Sequence, residues 1–148
     1  MAADRYQLAA VRDARAREEQ GKRGELAGSV GDAREARVRL EAAQARTTKA
    51  REALAAALAA REAIVAGPTP AQMAWLANAD RFVMRRRHEL DAALGEELRA
   101  HGSHDAHQGA VDVQRRLLAR ARADREVIDR HFARWREAKR KLSERRDD

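Results

Sequence analysis

The residues with the most obvious chemical potential lie in His101-Gly-Ser-His104-Asp105-Ala-His107. Spacings of three bring the imidazoles loosely onto one helical face, and imidazole is a common ligand for zinc and nickel. His104 and His107 also fall on the apolar seam described below. We therefore read the segment as a polar break in that seam and expect no metal site. A second candidate, Gly21-Lys-Arg-Gly24-Glu-Leu-Ala-Gly28, has the glycines and a lysine of a phosphate loop. It lacks the terminal Gly-Lys-Ser/Thr and follows no strand. Asp and Glu pairs are plentiful, but interleaved with Arg on a solvated helix they make surface ion pairs. No catalytic residue, cofactor or small-molecule substrate is expected: the pattern is that of a binding protein, not an enzyme.

Two other groups of residues invite a partner. Residues 115–148 hold 13 Arg plus Lys against 7 Asp plus Glu, a net +6 of the chain's +7. Arg134, Arg136, Lys139, Arg140, Lys141, Arg145 and Arg146 supply much of it. Basic residues near a helix C-terminus are favoured by the helix dipole, and the same residues would suit an acidic surface. The second group is the uncharged stretch holding Ile64, Val65, Met73, Trp75 and Leu76. These residues can close a hairpin tip, or form an apolar docking patch in a highly charged chain.

The elements that position these groups follow from composition and period. Of 148 residues, 37% are charged and 3% aromatic, and alanine dominates the 44% that is hydrophobic. Alanine buries little area, so this inventory cannot build a thick core. Its Ala, Arg, Glu and Leu suit long helices or a coiled coil. The two prolines sit together in Gly67-Pro68-Thr69-Pro70. Glycine ends one helix there, Thr69 caps the next and Pro70 opens it. This predicts an arm over 3–66, a turn at 67–70 and a second arm over 71–146, forming a single domain: an all-α, two-helix antiparallel coiled-coil hairpin, elongated, each arm roughly 100 Å long at 1.5 Å per residue.

Heptads run along both arms. In the first, Leu26, Ala33, Leu40, Thr47 and Leu54 alternate with Ala36, Ala43, Ala50, Ala57 and Ile64. In the second, Leu76, Val83, Leu90, Val111, Leu118 and Phe132 alternate with Ala79, Ala93, Ala100, Ala121, Ile128, Trp135 and Leu142. Glu97, His104, Arg125 and Lys139 interrupt the first of these second-arm series, and Arg86, His107 and Gln114 the other. Small-against-large packing at a seven-residue period implies a left-handed supercoil. A fold about positions 68 and 69 sets residue i level with about 137 − i. Tyr6, Leu8 and Val11 then meet Ile128, Phe132 and Trp135, and Glu137–Asp148 overhangs. Gly21, Gly24, Gly28 and Gly31 lie level with Gly102 and Gly109, which predicts a bend or a frayed zone there.

There is no cysteine, hence no disulfide framework. The opening Met-Ala-Ala-Asp-Arg-Tyr does not read as a signal peptide, and glycine and proline break the longest uncharged run. A cytoplasmic location is expected.

The chain resembles the FliJ/YscO-type stalk proteins of type III export systems, flagellar or injectisome. The likeness is carried by the Tyr6-Gln-Leu8-Ala-Ala-Val11-Arg12 opening, the Ala/Leu/Arg/Glu heptads and a C-terminal helix with Phe132, Trp135, Arg136, Lys139, Lys141 and Leu142. The resemblance implies a stalk whose paired termini enter the channel of a hexameric export ATPase, with other surfaces for the export gate or substrate chaperones. By position, Arg5, Tyr6, Arg12, Arg136, Lys139 and Arg140 would face the ATPase. Two other classes remain open: a structural or chaperone-like coiled coil, and a basic nucleic-acid-binding helical protein. The second is disfavoured by acidic residues interleaved with Arg and by the lack of a recognisable groove-reading motif.

Overall fold

A computed structural model describes residues 6–67 and 72–147. Two helices account for nearly all of them: α1, Ala9–Val65, and α2, Gln72–Asp147, 57 and 76 residues long. They pack against each other as an all-α helical hairpin, and no strand occurs among the described residues. Both sequences are rich in Ala, Arg, Glu and Leu, which cost little in a helix. Same-helix pairs such as Arg37–Glu41 at 2.9 Å and Lys141–Glu137 at 2.8 Å decorate the exposed faces. Each adds only a few tenths of a kcal/mol. Arg145 and Arg146 occupy the last turn of α2, where they oppose the negative end of the dipole. At the end of α1 the Gly67 N–H bonds the Ile64 carbonyl at 3.3 Å. Pro68, Thr69 and Pro70, and with them the expected cap, lie outside the described residues, as does Arg5.

The chain forms two compact units, residues 1–32 with 108–148 and residues 33–107. In the second unit Ala33, Ala36, Leu40, Ala43, Thr47, Ala57 and Val83 are buried, each on a heptad position read from the sequence. Thr47, 1% exposed, turns its hydroxyl back onto the Ala43 carbonyl at 3.2 Å, so a polar residue sits in the seam without an orphaned donor. Arg46 crosses to Glu96 at 2.9 Å, and Arg61 pairs with Asp80. In the first unit Tyr6, Val111, Leu118 and Ala121 are buried with Glu19.

Cross-helix partners correct the expected register. In the second unit 61 and 80 add to 141, and 46 and 96 to 142. In the first, 12 and 129 add to 141, and 15 and 124 to 139. The level is therefore set by about 141 − i, roughly one helical turn from the sequence estimate. The heptads themselves explain why. Antiparallel layers pair an a position with a d position, and in these series such pairs, for example Thr47 with Ala93, add to 140, whereas 137 would set a against a.

The new register also changes the glycine reading. Gly31 stays level with Gly109, but Gly102 is level with Arg39, and both helices run unbroken through every one of these residues. A Cβ built on Gly21, Gly24, Gly28, Gly31, Gly102 or Gly109 meets nothing within 4 Å. No positive-φ glycine occurs among the described residues, so none of the six is required by backbone geometry. Replacing Gly31 and Gly109 by Ala should raise unfolding stability by about 0.5–1 kcal/mol each, the helix-propensity difference. Urea denaturation of the single and double variants checks this. A loss of stability would show that these positions are packed.

Candidate functional site

The unit of residues 1–32 and 108–148 holds the densest set of functional side chains. Continuing the heptad of Leu26 towards the N-terminus gives Glu19 and Arg12, and continuing that of Ala36 gives Ser29, Lys22 and Arg15. The seam there is charged, and helix–helix contact is made through ion pairs in place of leucines. Glu19 is 4% exposed. Arg125 reaches its Oε2 at 2.9 Å from α2, and Arg122 and Arg23 close on its Oε1. Arg125 also contacts Asp129 at 3.3 Å, which takes a 2.9 Å hydrogen bond from Arg12 Nε. One chain of charge, Arg12–Asp129–Arg125–Glu19, thus stitches the two helices.

The titration of these groups follows. Hydrogen bonding to Arg125 holds the Glu19 carboxyl below its ordinary value, and desolvation only partly opposes it. The cover over Glu19 is a layer of guanidinium groups, not an apolar wall, so hydrogen bonds outweigh burial. Asp129 is lowered chiefly by its bond to Arg12, and Arg125 is raised chiefly by its bond to Glu19. The directions on the two partners agree.

Next to this network lies an aromatic cluster. Tyr6, 7% exposed, sets its ring 5.0 Å from Phe132, edge-on, and 5.2 Å from Trp135, while Phe132 and Trp135 stack at 5.7 Å. The Tyr6 hydroxyl lies 2.9 Å from His131 Nδ1, a partner that its seam-flanking position did not suggest. Cations gather on the ring faces: Arg12 4.3 Å from the Phe132 centroid, Arg136 at 5.9 Å, and Lys139 5.2 Å from Trp135. These lie within the range where a ring quadrupole attracts a cation. The expected aromatic staple is present. Of the residues singled out for an ATPase-facing end, Tyr6, Arg12, Arg136 and Lys139 are brought together. Arg140 lies beyond the cluster and pairs loosely with Glu144 at 3.4 Å. Beyond Trp135, the level residues of the first arm are 1–5, outside the described residues.

The residues singled out near the turn belong to the other unit. Ile64 and Leu76 are half-buried on the seam, while Val65, Met73 and Trp75 are exposed. In the histidine segment, His101 Nδ1 lies 3.0 Å from Asp105, while His104 and His107 are half-buried on the seam. Among the described residues no group of three His, Cys, Asp or Glu is arranged to hold a metal. The surface depression lined by Asp80, Arg81, Met84, Arg85, His88, Glu89 and Ala92 is built on one helix, and so has no opposing wall to enclose a substrate. Among the described residues no helix is long and apolar enough to cross a membrane.

Fold and side chains together define a helical hairpin with a basic, aromatic end. Comparison with protein-family models, with curated proteins and with solved structures returns no match.

The lowered Glu19 and Asp129 values carry a sign. Their stabilisation is complete above the unfolded carboxyl values, roughly pH 4–4.5, and is lost as pH falls through the lower folded values. Glu19→Gln should therefore lower the melting temperature at pH 7 and flatten its decline between about pH 4.5 and 2. Thermal melts across that range check it. An unchanged acid slope in the variant would show that the Glu19 network does not link the helices.

Proposed function

We propose that this chain is a docking protein, and that the end of the hairpin carrying Tyr6, Phe132 and Trp135 seats in an acidic protein surface. The observation that carries the reading is the gathering of Arg12, Arg136 and Lys139, from both helices, around one aromatic cluster. Aromatic and arginine side chains dominate the energetics of protein interfaces, and here the rings are already immobilised before any partner arrives. Arg136 has no carboxylate partner among the described residues, and the Arg140–Glu144 pair, two-thirds exposed on both sides, is cheap to exchange. The partner this suits best is the one implied by the stalk resemblance, the acidic channel of a hexameric export ATPase. In that role the chain acts in the cytoplasm by binding rather than by catalysis, with the export gate or substrate chaperones as further contacts.

Reversing charge at Arg136, Lys139 and Arg140 together should abolish ATPase binding or stimulation while leaving helix content unchanged, since exposed charges contribute little to folding. Leu118→Ala is the complementary control. It should cost roughly 2 kcal/mol or more of stability yet keep the docking charges. Retained ATPase binding in the charge-reversed variant would contradict the reading. Salt-sensitive binding of duplex DNA by the unaltered chain, lost in the same variant, would move the function to nucleic acid.

A further inference from the structure

We propose a second docking site at the opposite end of the hairpin, on a different unit: the turn end seats in the headgroup layer of an anionic lipid membrane. No charged residue occurs from Ala63 to Ala79. Within that stretch the large apolar side chains are not used to close the hairpin: Met73 is 74% exposed, Trp75 61% and Val65 59%. Tryptophan, methionine and valine left in water on a chain that is 37% charged are an uncompensated cost, unless something covers them.

The dimensions fit an interfacial site. From Glu62 to Gly67 is five residues and from Gln72 to Ala79 seven, so the neutral cap is about 7–10 Å deep along the helices. An apolar helix face sinks about 5–10 Å into the boundary between headgroups and acyl chains. That boundary also hydrates the polar backbone at a helix end, which hydrocarbon would not. The ring of Trp75 suits the same level.

Above the cap the charge is placed for lipid phosphate. Arg61–Asp80 and Arg86–Glu89 neutralise each other. Arg81, Arg85 and Arg87 are exposed and, among the described residues, have no carboxylate partner; against them stands only Glu62. The part of α1 level with them, residues 53–60, is entirely Ala and Leu. Arg81 lies about 13 Å from Gln72 along α2, just beyond the cap, and Arg85 one turn further, within about a Debye length. Nucleic acid would use these arginines but leave Trp75, Met73 and Val65 without a role. An anionic bilayer engages both sets.

The test uses the intact chain with vesicles of phosphatidylcholine alone or mixed with phosphatidylglycerol, read by co-sedimentation. A Trp135→Phe chain leaves Trp75 as the sole reporter for emission and for quenching by brominated acyl chains. Binding should require the anionic lipid, shift Trp75 emission to the blue and expose it to the quencher. Arg81→Glu/Arg85→Glu/Arg87→Glu should weaken partitioning by tenfold or more, at about 1 kcal/mol per basic residue near the surface. Trp75→Ala/Met73→Ala should weaken it as well, with helix content unchanged in both. Three results would overturn the proposal. One is no binding to anionic vesicles. Another is binding that survives both sets of tip substitutions but is lost on reversing Arg136, Lys139 and Arg140, which would place the lipid contact at the other end. The third is tight duplex-DNA binding that needs the tip arginines, with Trp75 unquenched by vesicles.

Discussion

Ala33, Ala36, Ala43 and Ala57 lie buried between the two helices, and that choice of residue governs what the rest of the chain must do. Alanine lets helical backbones come close, but each buried methyl removes little apolar area from water. Holding two helices together with such layers requires many of them in succession, which accounts for helices of 57 and 76 residues. A seam this thin also discriminates weakly between registers. The cross-helix pairs Arg46–Glu96 and Arg61–Asp80 supply part of what bulky knobs would otherwise specify. Such exposed pairs add little to stability, yet each fixes which residue stands opposite which.

The unit around Glu19 carries this logic furthest. There the seam positions themselves are charged, and Glu19, ringed by Arg23, Arg122 and Arg125, replaces an apolar layer. A buried ionic layer gives less stability than leucine would, and polar seam residues are best attested as devices that fix register. It also keeps the surface of that end basic and wet. The Tyr6, Phe132 and Trp135 rings then act as the apolar lock beyond the network. An end built in this way is held in one geometry and still presents cations, the combination a docking surface needs.

The heptad series from Leu26 to Ile64 and from Leu76 to Trp135 were readable because their period is strict and no proline falls inside them. The aromatic staple followed from the same arithmetic. The register did not, because it was anchored on a turn position; the a-against-d layering of an antiparallel pair excludes that value. Glu19, Arg122, Arg125 and Asp129 escaped because a search for apolar periodicity stops at Leu26, whereas continuing the count by seven reaches Glu19 and Arg12 directly. His131, beside the seam, carried no signal at all: its partner Tyr6 precedes α1, where helical spacing does not apply. The glycines were read as weak points aligned across the hairpin. Their unbroken helical backbone and open surroundings show that glycine identity alone does not break a helix held by a continuous seam.

Everything above depends on the seam register, and the chain's lack of cysteine makes that register directly measurable. Thr47 and Ala93 add to 140, whereas Thr47 and Leu90 add to 137, and all three positions lie in the same unit. Cysteines introduced at 47 and 93 should close rapidly to an intramolecular disulfide under mild oxidation in dilute solution, since they share a layer. The pair at 47 and 90 should close slowly or not at all. Faster closure of the 47/90 pair, or intermolecular products alone from both, would contradict the hairpin as described.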